Sequence, residues 1–360
     1  MQTLSNLIDN KQLLDFSQNF GVTRAAYMGS RLFPDMKTQY LEAEYTRLCE
    51  NGNLPMIAMV HGFDTEAHIG SRIPFEKVSH EELLIKEKIN LTEKIRKITN
   101  GMNMEVDTLR SYIYDDVARM AERVVVRAEL AKMEAITEGK MIIEENGLSL
   151  MVDYGVPADN FKTTNWDDPD ADIIGDVRGW YLDAIAKGYT PNIAVTTEAV
   201  VTKIMRNTAI QKAIFGATGA GILPSLEQIN TLFRAQFSGL YVETNEQRYG
   251  EVVTEGEKAK VVQHRFFKEN KFVMASTGLT GSVGTGLWGV TPEEEADGGA
   301  FDTKRQQQYV TVTTWDTPDP VATWTKASGL FVPVLPNPYG HIIADVATAA
   351  PAPANAGAEG

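Results

Sequence analysis

The chain of 360 residues lacks most features of secreted, membrane-spanning or nucleic-acid-binding proteins. Its one cysteine, Cys49, excludes an intrachain disulfide, and nothing indicates an oxidising compartment. No apolar run approaches the length of a membrane span, and the first residues lack the basic and apolar regions of a signal peptide. The 34 Lys and Arg are outnumbered by 48 Asp and Glu, which argues against tight binding to nucleic acid phosphates. We therefore expect a protein made in a cytoplasm.

Motifs for catalysis or metal binding are also scarce. No serine stands in a Gly-x-Ser-x-Gly elbow, and no His-Glu-x-x-His spacing occurs. Asp168 could open a calcium loop, but its sixth and twelfth positions are Ile173 and Gly179, where Gly and Glu are required. An acidic helix entry explains these aspartates better, because negative charge is favourable at a helix N-terminus. The sequence predicts no catalytic residue, cofactor or metal.

Two glycine runs leave a nucleotide-dependent enzyme as an alternative. Gly216, Gly219 and Gly221 follow a helix where a dinucleotide fingerprint needs a strand, and the glycine-rich loop 278–289 has no lysine in reach. We interpret both runs as turns whose glycines need positive φ. Absence of nucleotide binding, together with sedimentation as a large particle, would discard the enzyme.

The chain does contain a long amphipathic segment, 104–138, without proline or glycine. Its larger apolar residues step by three and four, as on one face of a helix: Val106, Leu109, Ile113, Val117, Met120 and Val124. At about 1.5 Å per residue the helix would be about 50 Å long, which a compact domain rarely needs. Asn146 and Gly147 then predict a two-residue turn between strands 140–145 and 148–154.

A second unusual stretch, 55–80, has strand-like patches but little that could close a core of its own. We interpret it as a long two-armed loop that would reach roughly 40 Å. His61, His68 and His80 fall within it and are expected to be solvated. The alternative is that they titrate in a subunit contact and give assembly a pH dependence.

The rest of the chain alternates helices with short strands, which indicates an α+β fold. Predicted helices are 4–19, 172–187, 197–207 and 225–236, the last opened by a capping box of Ser225 and Gln228. Predicted strands are 193–195, 240–243, 261–267, 271–275, 309–314 and 329–335. The alanine- and proline-rich end reads as a flexible tail.

Several stretches, in this order, resemble the major capsid proteins of tailed bacteriophages, most closely the family of the phage lambda major head protein, capsid protein E. They are the helix end 127–140 running into Ile142 and Ile143, Val152-Asp-Tyr-Gly, Trp166-Asp-Asp-Pro, Pro191-Asn-Ile-Ala-Val, Trp288-Gly-Val-Thr-Pro-Glu-Glu and Val334-Leu-Pro-Asn-Pro. The likeness covers residues 50–345, and the two ends are not diagnostic. Capsids welded by lysine–asparagine bonds are only distant cousins, so no such crosslink is expected.

The resemblance implies a Hong Kong 97-like capsid fold. Its parts would be an N-terminal arm (1–50), an extended E-loop (51–82), a peripheral domain (83–165) with a spine helix (104–138), an axial domain (166–328), a return strand to the peripheral domain (329–348) and a tail (349–360). E-loop residues expected to contact a neighbouring subunit are Met56, Ile57, Met59, His61, Phe63, His68, Arg72 and Phe75. The expected axial-domain loop carries Gly278, Gly281, Gly284, Gly286 and Trp288.

The resemblance also implies a function without catalysis or cofactors. The chain would be a major capsid protein that self-assembles into hexamers and pentamers, forming the icosahedral shell around a tailed phage's double-stranded DNA. Expected partners are its own copies, a scaffolding protein, a portal protein and a decoration protein, with no specific DNA binding and no membrane. It would be located in the virion after assembly in the host cytoplasm. Alternatives are an encapsulin-like nanocompartment shell on the same fold and a tail-tube or decoration protein.

Overall fold

The computed structural model describes residues 26–39, 42–48, 51, 53–54, 75–91, 106–145, 147–219, 221–255, 258–278, 281–295, 303–307, 309–319 and 321–347. The strands are β1 (Asp35–Lys37), β2 (Glu42–Leu48), β3 (Phe75–Glu81), β4 (Leu83–Leu91), β5 (Lys140–Glu145), β6 (Leu148–Asp153), β7 (Phe161–Thr163), β8 (Ile193–Thr196), β9 (Tyr241–Thr244), β10 (Arg248–Glu255), β11 (Lys258–Arg265), β12 (Lys271–Ala275), β13 (Thr285–Gly289), β14 (Thr303–Gln307), β15 (Val310–Pro318), β16 (Val321–Val334) and β17 (Ile342–Asp345). The helices are α1 (Met28–Leu32), α2 (Val106–Glu138), α3 (Ile173–Ala186), α4 (Glu198–Arg206), α5 (Thr208–Phe215), α6 (Leu226–Gln236) and α7 (Pro292–Glu295). Within these described ranges, no helix is long and apolar enough to cross a membrane.

The chain divides into two compact units. The first comprises Met1–Glu44, Ser79–Lys132 and Gly284–Val334, and the second Tyr45–Val78, Met133–Val283 and Leu335–Gly360. The predicted boundaries differ from this division in several places, and residues 133–165, which the sequence places in the peripheral domain, group with the second unit. Residues 284–328 group with the first unit, although the sequence places them in the axial domain. Strand β17 pairs within the sheet of the second unit, although the sequence assigns it to a strand returning to the peripheral domain.

The first unit is built around a six-stranded sheet. Its strands follow the order β1-β13-β16-β15-β14. The sixth strand, β4, lies outside this order and pairs with β16. The pair β1–β13 is parallel, while the others are antiparallel. All residues of β16 from Ala327 to Val334 are buried, so this strand is the centre of the sheet.

Helix α2 confirms the predicted long helix, beginning two residues later and ending at the predicted residue. Val117, Met120 and Val124 are at most 2% exposed, as expected for the buried face of an amphipathic helix. The other predicted members of that face lie in the helix but have side chains outside the described part: Val106, Leu109 and Ile113. The helix ends at Gly139, whose φ of 61° suits a glycine terminus.

The predicted hairpin after the helix is also confirmed. Strands β5 and β6 pair antiparallel with Lys140 opposite Asp153 and Glu145 opposite Leu148, which leaves a two-residue turn. Gly147 adopts a φ of 79°, while Asn146 lies outside the described residues. The register therefore follows the turn that the sequence predicts.

The second unit packs helices on a mixed five-stranded sheet with the order β7-β17-β12-β8-β9. Trp166 is central to its core, stacked on Trp180 at 5.7 Å between ring centroids and edge-on to Phe272 at 5.1 Å. Helices α3, α4 and α6 each bury an apolar face in this core. The mixture of helices with strands agrees with the predicted α+β fold.

The predicted helix starts are borne out by their caps. The Asp172 side chain accepts from the Gly175 N–H at 3.0 Å, so the aspartate-rich stretch is a helix entry. Ser225 and Gln228 form the predicted capping box at α6. Thr197, in contrast, makes no side-chain cap, and Glu246 accepts from the Glu198 N–H at 2.8 Å at that position.

Several elements differ from the sequence prediction, and β1, β2, β4, β7, β14, α1 and α7 are not predicted at all. Helix α5 is separate from α4 because Asn207 leaves the helical conformation and caps α5 by accepting from the Ile210 N–H. Strand β10, with Gly250 in its middle, is not predicted. Strand β13 takes up the second half of the predicted loop 278–289. The predicted helix 4–19, most of the long loop and the tail lie outside the described residues.

Candidate assembly surfaces

The base of the predicted E-loop is held by one arginine. Arg47 on β2 donates from Nε to Glu76 Oε2 on β3 at 2.7 Å and from Nη1 to the Tyr154 carbonyl at 2.9 Å. The hydrogen bond and charge of Arg47 lower the pKa of Glu76, while the Glu76 hydrogen bond raises the pKa of Arg47. Sequence reasoning missed Arg47, because no spacing relates two partners 29 residues apart.

Most of the predicted E-loop contact residues lie outside the described residues: Met56, Ile57, Met59, His61, Phe63, His68 and Arg72. Phe75 is the first residue of β3, and His80 is a half-buried residue of the same strand. Phe75–Glu81 is thus part of a paired strand, in keeping with the predicted second arm of the loop. The proposed subunit contact through the loop stays a prediction.

The predicted axial-domain loop is split between the two units. Gly278 and Gly281 form a tight turn in the second unit, where the Gly281 N–H bonds the Gly278 carbonyl at 2.9 Å and Gly281 has a φ of 75°. Gly284 and Gly286 belong to the first unit and have no positive φ. A Cβ at Gly286 would lie 2.6 Å from Asp35 Oδ1, so the position needs glycine for close packing. The positive-φ prediction is wrong for Gly278, Gly284 and Gly286, although it holds for Gly281.

Trp288, predicted at the same loop, is a buried core residue with 2% exposure. Its Nε1–H donates to Asp35 Oδ1 at 2.9 Å, and its ring stacks on Tyr309 at 5.6 Å between centroids. Lys132, whose side chain is 3% exposed, donates to the same Asp35 oxygen at 2.7 Å. This network fixes β1 and α2 within the first unit, and its role is structural.

Helix α2 also carries a buried carboxyl. Glu129 is 2% exposed, and its Oε1 accepts from the Gly29 N–H at 2.7 Å. Its Oε2 has no hydrogen-bond partner among the described residues. Burial raises the pKa of Glu129 to about 7, although the Gly29 N–H and Lys132 act in the opposite direction. Sequence analysis did not identify this site, since no spacing relates Glu129 to Gly29, 100 residues away.

Glu82 in the first unit and His341 in the second are also buried titratable groups. Burial raises the pKa of Glu82 in the first unit to about 7, with Lys37 opposing. Burial lowers the pKa of His341 in the second unit to about 4, against a hydrogen bond with the Ile136 carbonyl at 2.7 Å. In the part of the chain that the structure describes, no group of three or more His, Cys, Asp or Glu is placed to hold a metal ion.

Two hairpins of the second unit each carry a pair of exposed apolar side chains. Ile142 on β5 and Met151 on β6 are direct cross-strand partners, 48% and 62% exposed. Val252 on β10 and Val261 on β11 are also direct partners, 58% and 68% exposed. Such pairs on two-stranded sheets are typical of surfaces that a partner covers.

Comparison with known protein families identifies one family. A model of the family described as phage major capsid protein E matches residues 50–346. No curated protein sequence matches the chain. A protein described as a candidate prophage capsid protein of Escherichia coli CFT073 has a similar structure, with a TM-score of 0.57, 14% identity, and coverage of 94% of this chain and 99% of that chain. A phage-related protein of Bordetella bronchiseptica RB50 is similar with a TM-score of 0.52, 10% identity, and coverage of 94% and 97%. At these identities the two structures show the fold alone.

Proposed function

The chain belongs to the phage major capsid protein E family, and from this membership we propose how it builds a phage head. It is a shell-forming capsid protein of the virion with an α+β, Hong Kong 97-like fold. The observation that carries this conclusion is the family match over residues 50–346 of 360. The same match favours a phage shell over an encapsulin-like nanocompartment, which shares the fold.

We propose that copies of the chain join into hexamers and pentamers and close an icosahedral shell around double-stranded DNA. The exposed apolar pairs Ile142–Met151 and Val252–Val261 support assembly, because each would gain free energy when a neighbouring copy covers it. In this proposal the loop 55–74 lies across a neighbouring subunit, and Arg47 and Glu76 hold the strands at its base. Residues 1–50 act as an N-terminal arm.

The role proposed is structural, without catalysis or a cofactor. A formal charge of −14 suits a shell that encloses DNA without binding it specifically. Assembly takes place in the host cytoplasm with a scaffolding protein and a portal protein, and the finished shell accepts a decoration protein. These partners and the place of assembly follow from the family and are proposals.

Expression of the chain followed by sedimentation and negative-stain microscopy tests the proposal. We expect large closed particles from the full chain. Deletion of residues 63–69 should leave a soluble, folded subunit that forms no stable shells, because the loop contact is lost. A matched deletion of seven tail residues, 351–357, should leave assembly unchanged. Normal shells after the first deletion would refute the loop assignment, while monomers from the full chain under all conditions would refute shell formation itself.

A further inference from the structure

The hairpin of β10 and β11 has two open edges. In the described residues these strands pair only with each other, over the register Arg248–Arg265 to Glu255–Lys258. At its base, Tyr249 stacks on His264 at 5.4 Å between centroids and packs against the buried Phe266 at 5.0 Å. An isolated two-stranded hairpin is marginally stable in water, and open strand edges invite pairing with another chain. The hairpin is therefore built to be completed by a partner.

One face of this hairpin is apolar and uncovered. Val252 and Val261 are opposite each other and more than half exposed. Gly250 lies on the same face, two residues before Val252. A Cβ there would stand 2.9 Å from Val261 Cγ1, so the valine side chain leans over the glycine. Val252, Val261 and Gly250 thus form a small exposed apolar patch, with Gln263 beside it on the same face.

The other face separates charge by strand. Glu251 on β10 and Lys260 on β11 are both exposed and lie on this face, opposite Val262 and Val253 respectively. By sequence, β10 ends in Glu255 and β11 begins with Lys258. Glu251 Oε2 also lies 3.1 Å from His264 Nε2, within the hairpin. On this face the exposed acidic side chain thus belongs to β10 and the exposed basic one to β11, and we call the open edges of these two strands the acidic edge and the basic edge.

The two charges nearest the base do not disturb this pattern. Arg248 is the exception on β10, and it donates to Gln263 Oε1 at 3.1 Å. Arg265 on β11 pairs with Glu246 at 2.5 Å, outside the hairpin. Arg248, Arg265 and Glu251 thus each have a partner within their own chain.

The charges of the two edges determine which strand edges of two copies can pair. Like edges would set acid beside acid or base beside base, which is unfavourable for directly opposite residues. Unlike edges attract, and an antiparallel pairing shifted by two residues from the hairpin's own register sets Glu251 opposite Lys260 of the next copy. The same shift sets Gly250 opposite Val261 and Arg248 opposite Gln263, which avoids an arginine pair. Such a contact joins different surfaces of each copy and closes into a ring by rotation.

We propose that the acidic edge of β10 docks against the basic edge of β11 of a second copy, so that these hairpins link neighbouring subunits head to tail around each ring of the shell. The inference rests on the proposed function, which supplies rings of five and six.

Charge reversal tests this contact. An all-basic hairpin (E251K, E255K) and an all-acidic hairpin (K258E, K260E) should each fold, by circular dichroism, but fail to form rings and shells. The fourfold swap that combines all changes should restore normal shells. A control with the same charge change at exposed sites away from the hairpin, E227K with E269K, should assemble like the original chain. Normal shells from either hairpin variant, or none from a folded swap, would overturn the proposal.

Mixing the two variants gives a sharper test, because only alternating copies bring unlike edges together. An alternating ring must have an even number of members, so co-expression should give hexamers, sheets or tubes but no pentamers and no closed icosahedral shells. Closed shells with pentamers from the mixture would overturn the head-to-tail arrangement. If the unaltered chain forms no shells, the proposed function fails; if it does and the variants behave like it, only this inference fails.

A crosslink provides a measurement that does not depend on reversed charges. Co-expressed E251C and K260C chains, in a background where Cys49 is replaced by Ala, should form a disulfide between copies within assembled rings. Each variant alone should form none. Absence of the crosslink in particles made from the mixture would overturn the edge contact.

Discussion

Replacing Glu129 by Gln should abolish a pH dependence built into the first unit. The carboxyl is 2% exposed, and its folded pKa of about 7 stands above the ordinary 4.5. Below about pH 4.5 the group is protonated in both the folded and the unfolded chain, so it carries no penalty. As the pH rises to 7, the unfolded chain ionises while the folded carboxyl keeps its proton, and stability falls. At about 1.4 kcal/mol per pKa unit, the loss reaches about 3 kcal/mol by pH 8.

The Glu129→Gln variant keeps an amide oxygen that can accept from the Gly29 N–H but cannot ionise. Compared with the original chain, it should therefore gain up to about 3 kcal/mol between pH 5 and pH 8. The contributions of Glu82 and His341 are common to both proteins and cancel in the comparison. Glu144→Gln, at an exposed position of β5, should show no such gain.

Hydrogen exchange, followed on peptides from 26–39 and α2 in unassembled subunits, measures this effect locally. A local measurement is needed because two units need not unfold together. After correction for intrinsic exchange rates, opening free energies of the original chain should fall with pH more steeply than those of Glu129→Gln. Parallel curves for the two proteins would refute the buried, proton-retaining carboxyl.

Two further changes test the helix and the glycine packing. Val117→Pro should unfold the first unit, because an interior proline costs about 3 kcal/mol or more and displaces a side chain that is 2% exposed. The control Arg119→Ala, at an exposed position of the same turn, should fold. A proline variant that folds and assembles would mean that the helix is misassigned. Gly284→Ala should lower the free energy of unfolding by about 1–3 kcal/mol, because the added Cβ would meet the Val334 carbonyl and the Phe33 ring. Gly179→Ala, inside α3, should raise the free energy of unfolding by about 0.5–1 kcal/mol, because a Cβ added there would meet no neighbouring atom within 4 Å. Equal thermal shifts for the two alanine variants would contradict the packing argument.

Local signals predicted much of the fold. The spacing of Val117, Met120 and Val124 predicts the long helix, because a buried helical face must repeat every three to four residues. The Asn-Gly pair predicts the hairpin, and Ser225 with Gln228 predicts a helix start. These features depend on neighbours within a few residues, so they can be read without knowing what else the segment touches.

Loop predictions failed where glycine serves packing. Gly284 and Gly286 read as loop residues, yet Gly284 directly precedes strand β13 and Gly286 lies within it, and their lack of a side chain leaves room for Phe33, Asp35 and Lys132. The division into units depends on a similar cause. Residues 284–334 follow the second unit in sequence but pair with β1 and β4 of the first. Pairing between distant segments leaves no local mark.

By itself the sequence determined the periodic helix, the tight turn, the helix caps and the family likeness. Only the tertiary structure decided that Arg47 ties β2 to β3, that Glu129 is buried beside Gly29, and that the acidic and basic strands of one hairpin are adjacent with open edges. The reason is physical: a helix or a tight turn is stabilised by residues that are close in sequence, whereas burial and pKa depend on residues that the fold brings together from as far apart as His341 and Ile136, 205 positions in sequence.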